Sequence, residues 1–416
     1  MGVIIFMDDK SALSGLRVLD FSHLLAGPFA TQILGDYGAT IYKIERAEVG
    51  DDYRRWHFFN KKVGGTQAAT FLSWNRNKRS LAIDMKSPKG KDILYKMVKD
   101  CDVVIQNFRP GVMSKLGFGF EDLKKINPKI IYCNGSGYGR TGPYGNRPGQ
   151  DLLIQGMSGL TYNTGRADGP PVPVGAGMAD QLGSYNMVIS ILSALYHRDR
   201  TGVGQEIEID LLSALLQHEL QEFVAVLNLG QEFERAKSGI GHPGTAAPFG
   251  VYKTKDKYIS IAIATLELLA EVLEDETIAT NYKDDGPRGA FGSQIQFTKR
   301  DEIFNHIEKR TKEYTSEYLL NTLLEKGAWV APVYKHLEVL DDPQVKHMKM
   351  FTSYTHKKYG TVHTVSPAAK MSETPPKISK PAPLVGEHSY EILKEFGYSI
   401  DEIKQYEDEK IITVES

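Results

Sequence analysis

The sequence predicts an α/β protein built on a parallel sheet covered on both faces, with a second, smaller mixed domain inserted into the chain. Three observations predict it. Strand and helix signals alternate through the first half at the spacing of crossover units, the pattern changes after Gly230, and 416 residues exceed what one hydrophobic core normally organises.

Residues 16–21 read as a buried strand, residues 28–36 as a helix with Pro28 near its first turn, and residues 40–44 as a second strand. Ser87-Pro88 opens a helix through residue 98 whose Ile93, Leu94, Met97 and Val98 share one face, and residues 103–106 and 129–133 supply further strands. A Gly/Pro-rich passage covers 135–148. Helical segments follow around Leu152 and Asp180, then a strand at 206–209 and a helix over 213–227. Residues 248–252 and 258–264 make a hairpin-like pair around Lys255-Asp256-Lys257, with helices near 266–274 and 301–311. The prolines of 370–384 keep that stretch extended before two closing helices.

Lys and Arg total 50 against 52 Asp and Glu, a net charge of −2, and no basic stripe with interleaved aromatics is present, so no nucleic-acid partner is expected. The apolar residues 3–7 are too few for a signal h-region and lack a basic flank, and Val414-Glu415-Ser416 is no peroxisomal address. A cytoplasmic protein that does not enter membranes is expected. Cys101 and Cys133 both sit beside apolar strand-like runs and read as buried small hydrophobes.

Several familiar motifs fail on context. Gly137-Tyr138-Gly139-Arg140-Thr141-Gly142 matches G-x-G-x-x-G, but Pro143, Gly145 and Pro148 follow where a phosphate-binding helix would begin. His218-Glu219 starts like H-E-x-x-H but Glu222 fills the second His position, so no metal site is expected. Gly156-Met157-Ser158-Gly159 has the wrong spacing for a nucleophile elbow, and there is no Walker A loop.

One acid stands out. Asp180 lies in Gly177-Met178-Ala179-Asp180-Gln181, at the start of a long helix nearly free of charge, whose residues 187–196 should be buried on most sides. The bland role for Asp180 is to cap that helix. The alternative is chemistry: Gly175, Gly177 and Gly183 would let a ligand approach, and the positive helix end would keep the carboxylate ionised, as a nucleophile needs.

Read in order, Leu13-Ser14-Gly15-Leu16-Arg17-Val18-Leu19-Asp20-Phe21, Ala26-Gly27-Pro28, Lys43-Ile44-Glu45-Arg46 and Asn77-Lys78-Arg79-Ser80 are followed by Asp84-Met85-Lys86 and Gln106-Asn107-Phe108-Arg109-Pro110-Gly111. Gly202-Val203-Gly204-Gln205 and Pro383-Leu384-Val385-Gly386-Glu387-His388 complete the set. Together they resemble the family III CoA-transferases, the carnitine dehydratase/bile-acid-inducible protein F family that includes formyl-CoA transferase. The resemblance implies an interlocked homodimer, with a Rossmann-like large CoA-binding domain over 1–228, a smaller α+β domain over 229–332, and residues 333–416 as linker and helices returning to the large domain.

It also implies a chemistry in which the Asp180 carboxylate attacks a donor acyl-CoA and passes CoA to a small carboxylic acid through mixed-anhydride and aspartyl-CoA thioester intermediates. Coenzyme A thioester enters as substrate, and no permanently bound cofactor is implied. The resemblance places His23, Leu25 and Ala26 of one loop, with Arg46, Ile83, Asp84, Lys86, Asn107, Phe108 and Arg109, on the nucleotide and phosphate side; Lys115 stands where some relatives have Arg.

The resemblance places Trp56, Gln150, His242 and Gly244 on the substrate side, and an Arg among Tyr53, Arg54, Arg55 and Trp56 would suit a second carboxylate. Ser238-Gly239-Ile240-Gly241-His242-Pro243-Gly244 departs from the run of four glycines in formyl-CoA transferases, so an oxalate-type acceptor is not expected. Relatives that racemise α-methylacyl-CoA esters carry a His as second base where this chain has Gln150, which cannot take that proton. A racemase and a non-catalytic CoA-binding protein are the alternatives.

Overall fold

The structure is a computed structural model in which residues 11–65, 67–283 and 292–415 are described. Residues 3–7, read above for export, lie outside them. The described residues form two compact units: one comprises those within 1–154, 177–218 and 347–416, the other those within 155–176 and 219–346. The boundaries therefore differ from those expected. Residues 155–176 and 219–228 belong with the second unit, and the return to the first begins at His347, not at 333.

The first unit is organised by six parallel strands: β1 (Arg17–Asp20), β2 (Thr40–Glu45), β3 (Lys78–Ile83), β4 (Val103–Gln106), β5 (Ile131–Ser136) and β6 (Gln205–Asp210). They run in the order β3-β2-β1-β4-β5-β6, and the short strand Ile412–Thr413 adds antiparallel to β3. This is the doubly wound order, in which the direction of strand addition reverses between β1 and β4 and opens a crevice beyond their carboxyl ends. β3 escapes the hydrophobic pattern because it begins Lys-Arg-Ser, yet Lys78 and Ser80 are wholly buried.

Helix Pro88–Asp100 starts on the Ser87 side chain, which accepts the Gly90 N–H, and buries the predicted face of Ile93, Leu94, Met97 and Val98 against Leu19, Tyr42, Leu81 and Val104. Full burial of each such side chain contributes roughly 1.5–3 kcal/mol. Ile392 and Leu393 of helix Ser389–Glu395 complete this core. Helices Ala26–Asp36 and Met178–Thr201 pack on each other and on the sheet; a Cβ on Gly135 would sit 2.4 Å from the Met187 methyl.

Helix Met178–Thr201 is not buried on most sides. Tyr185, Ile189, Leu192 and Tyr196, spaced three or four apart, leave an apolar stripe open, with Tyr196 67% exposed. Cys101 and Cys133 are buried and free, and burial pushes both thiols far up, which removes them as nucleophiles.

The helix expected over 213–227 is two, Leu211–His218 and Leu220–Leu229, parted at the buried Glu219. The hairpin Phe351–His356 with Gly360–Val365 carries no strong turn dipeptide and was not anticipated. From there to Ser389 the chain has no helix or strand.

In the second unit the expected hairpin is present as Gly250–Lys253 and Tyr258–Ile263, and Trp329–Pro332 adds a third antiparallel strand. Tyr252 stacks on Phe304 of helix Arg300–Thr311 at 4.2 Å, at the centre of that unit's core. Among the described residues no helix is long and apolar enough to cross a membrane.

Candidate active site

The loops after β1 and β4 meet across the crevice. Asn107 accepts the His23 N–H at 2.8 Å and donates to the His23 carbonyl at 2.7 Å, so one side chain clamps both loops. Phe108 follows, its N–H donated to Gln106 Oε1 and its ring edge-on to His23 at 5.1 Å. Burial, aided by Lys43, pulls the His23 imidazole below its ordinary range, so it is neutral at pH 7 and contributes a ring and a backbone, not a charge.

A cavity of about 750 Å³ opens here. His23, Arg46 and Asn107 line it, as do Ile83 at the end of β3, Asp84 and Lys86 after it, and the pair Phe108 and Arg109 after β4. The structure thus gathers eight of the predicted residues around one space. Arg46 reaches it from the end of β2, held by Asp52 at 2.7 Å.

Three predicted residues stand elsewhere. Ala26 is buried, its carbonyl accepting from Ser184 Oγ at 2.7 Å, while Leu25 lies against the start of the Asp180 helix. Lys115 is exposed on the short helix Val112–Leu116 and does not line the cavity, because Val112 and Leu116 fill that side.

Beneath the loops lies a wholly buried charge network. Lys78 Nζ meets Asp20 and Lys43 Nζ meets Asp51, each at 3.0 Å, and Arg54 grips Glu45 with two nitrogens at 2.6 and 2.8 Å. Burial pulls Lys78 down to about 8, with Asp20 opposing that shift. Arg54 also donates to the Pro383 carbonyl and lies 3.6 Å from the Phe71 ring centre. It is therefore committed, and does not offer its guanidinium to a second substrate carboxylate. Arg55 is likewise paired with Asp52.

Asp180 occupies the third position of its helix, and Gly177 precedes the first turn with no side-chain cap. Asp180 is thus not the cap. Its own N–H is instead donated to Asp151 Oδ1 at 3.2 Å, so the residue that satisfies this terminus comes from an earlier helix, Asp151–Ser158. Ser184 Oγ, one turn on, lies 2.8 Å from the Asp180 carbonyl and ties it to Ala26.

Burial, reinforced by the Asp151 charge, pushes the Asp180 carboxyl up to about 7. The helix terminus does not hold it ionised as expected, because desolvation and a like charge outweigh a dipole effect of at most about 2 kcal/mol. Tyr53 lies close enough to Asp180 and Asp51 for both to add to the burial that raises its hydroxyl to about 12. Trp56, more than half exposed, packs edge-on to Tyr53 at 5.6 Å. Gln150 is exposed and its Oε1 accepts the Leu152 N–H at the start of helix Asp151–Ser158.

In the second unit His242 Nδ1 accepts the Gly244 N–H at 3.0 Å, which places its proton on Nε2, 3.0 Å from Glu222 Oε1. His242 and Gly244 are therefore parts of one tight loop, with Phe233 packed on the ring. Asp151, Asp51 and the cavity-lining Lys410 were missed by the sequence reading. Asp151 stood beside a residue that was noted, but nothing local signals that a side chain 29 positions upstream caps the Asp180 helix.

The sequence profile of CoA-transferase family III matches residues 13–389. The chain is 35% identical to mouse "Succinyl-CoA:glutarate CoA-transferase", over 93% of this chain and 87% of that one. It is 33% identical to "Succinate--glutarate CoA-transferase" of Agrobacterium fabrum, over 93% and 96%. A solved CaiB/BaiF family protein from Brucella suis superposes with a TM-score of 0.81 at 33% identity, covering 93% of this chain and 99% of that one. By the match along nearly its whole length and by its fold, this chain belongs to the family III CoA-transferases, enzymes that move CoA from a thioester to a carboxylic acid.

Proposed function

We propose that Asp180 is the acyl-accepting nucleophile, that the 750 Å³ cavity takes the nucleotide end of CoA, and that the substrates are succinyl-CoA and a short dicarboxylic acid. The observation that carries the first part is a half-buried carboxyl group that caps nothing and that no hydrogen bond holds among the described residues. The relatives' names support the substrate pair.

An Asp180 oxygen adds to the thioester carbonyl and the C–S bond breaks, leaving a mixed anhydride and CoA thiolate. The thiolate attacks the aspartyl carbonyl, releases the donor acid and leaves CoA on Asp180. The acceptor carboxylate then attacks this thioester, expelling the thiolate and forming a second anhydride. Attack of the thiolate on the acceptor's acyl carbonyl gives the new CoA thioester and restores Asp180. Carboxylates are weak nucleophiles, and a poorly solvated one of raised basicity is a stronger one, which turns the burial of Asp180 to advantage.

Asp151 adds to the basicity that burial confers. Asp151→Asn retains an oxygen to accept the Asp180 N–H but loses the like charge, so the acid limb of kcat/KM, expected near pH 7 in the wild type, should move to lower pH. An unmoved limb in a folded variant would remove Asp151 from this role.

Incubation with succinyl-CoA followed by hydroxylamine should convert Asp180 to its hydroxamate, seen by peptide mass spectrometry. An unmodified Asp180 at saturating donor would overturn the mechanism. Gln150, in the place of a racemase's second base, supports transfer over racemisation. Solvent deuterium entering a chiral 2-methylacyl-CoA without an acceptor acid would reverse that preference. Pairing succinyl-, acetyl- and formyl-CoA with mono- and dicarboxylates tests the substrates; preference for a monocarboxylate would reject the dicarboxylate.

The assembly we propose is an interlocked homodimer, supported by the open stripe Tyr185, Ile189, Leu192 and Tyr196 and by an apolar groove of about 800 Å³ lined by Phe29, Trp74 and Met350. Sedimentation of a monomer at micromolar concentration would exclude it.

A further inference from the structure

The chain's penultimate stretch takes part in the wall of the 750 Å³ cavity. Lys410 lines the cavity with Arg46, Lys86 and Arg109, although more than 300 residues separate it from any of them. It follows helix Ile400–Asp408 in a left-handed conformation, φ 58°, at a helix end where glycine is the usual choice. Its neighbours fix it there. The Ile411 carbonyl accepts the Asp84 N–H at 2.8 Å, and Thr413 Oγ1 accepts the Glu48 N–H at 3.0 Å. One short segment thus braces both the loop that carries Lys86 and the loop that carries Arg46.

Charge decides what Lys410 does there. Arg54 neutralises Glu45 from behind, so the remaining acids of the wall are Glu48, Asp52 and Asp84, which face four cations. Loss of Lys410 would remove one of those four cations, and with it part of the attraction for a ligand rich in phosphate. We propose that Lys410 is a phosphate-binding residue of the CoA site, supplied by the C-terminal segment. This rests on the assignment of that cavity to CoA.

The probe is CoA itself, its binding to the intact protein measured by calorimetry. Lys410→Ala should weaken CoA binding roughly tenfold, close to the loss expected for Arg46→Ala, and Lys410→Glu should weaken it further. Lys410→Arg should keep affinity within about threefold, which a merely structural role would not require, and the wild-type melting temperature in all three variants would separate contact from misfolding. CoA affinity for Lys410→Glu within twofold of wild type would overturn the proposal and leave the cavity assignment standing. A wild-type protein that binds no CoA would overturn both.

Discussion

Asp180→Asn should lower the rate of CoA transfer by roughly 10⁴- to 10⁶-fold while CoA still binds, since removing a nucleophile removes every covalent step at once. Folding should not suffer, and this distinguishes chemistry from capping. Loss of an N-cap costs about 0.5–2 kcal/mol, but Asp180 caps nothing, and the burial of its carboxyl is a burden. The sign follows from the raised pKa. What this group adds to stability is fully present below its ordinary value of 3.8 and is lost as pH rises through about 7. Asparagine carries no such dependence, so at pH 8 the variant should melt at the same temperature or higher. A melting temperature well below wild type, or substantial residual turnover, would place the nucleophile elsewhere.

Arg54→Ala should destabilise the protein by about 3–5 kcal/mol, the cost of leaving a buried charge without its partner. Glu45 is wholly buried and would keep only Ser80, the Asp51 N–H and the more distant Lys43 as partners. Burial alone would raise the Glu45 carboxyl; Arg54, opposing it, holds it below the usual range. That contribution is present above the ordinary carboxylate pKa and is lost as pH falls through the lowered folded value. In the variant Glu45 takes up a proton more readily, so the deficit against wild type, read from urea unfolding, should shrink between pH 8 and pH 5. Replacing both members, Arg54→Met with Glu45→Leu, should recover much of the loss. A deficit under about 1 kcal/mol for Arg54→Ala would mean that the pair carries little. Tyr53 and Trp56 flank this arginine, so the variant also reports on how firmly the site's aromatic wall is held.

Where apolar side chains follow a period of two or of 3.6, the elements were legible: helix Pro88–Asp100 and strand β4 stand almost where the pattern puts them. Elements made of charged residues were not. Strand β3 buries Lys78 against Asp20, a pairing 58 residues apart that no local window contains. Most of the cavity-lining residues were legible through the family resemblance, and topology brings them together because they stand at or just beyond the ends of successive strands. Lys410 and Asp151 were not, because their roles arise from chain segments that meet only in three dimensions. The electrostatics of Asp180 were not legible either: a helix terminus is visible in a sequence, whereas the water excluded around a side chain is not.

Strand Ile412–Thr413 closes the edge of β3, Asn77 holds the backbone at Ser379 and Lys380, and the Pro383 carbonyl receives Arg54. During synthesis, then, β3 and its buried charges emerge from the ribosome long before the segment that completes them. At roughly 5–20 residues per second the wait lasts on the order of tens of seconds. The second unit, complete by residue 346, has all its residues before the first does. An unpaired strand edge is a template for wrong partners, so the nascent chain at this stage is where chaperone protection would matter most.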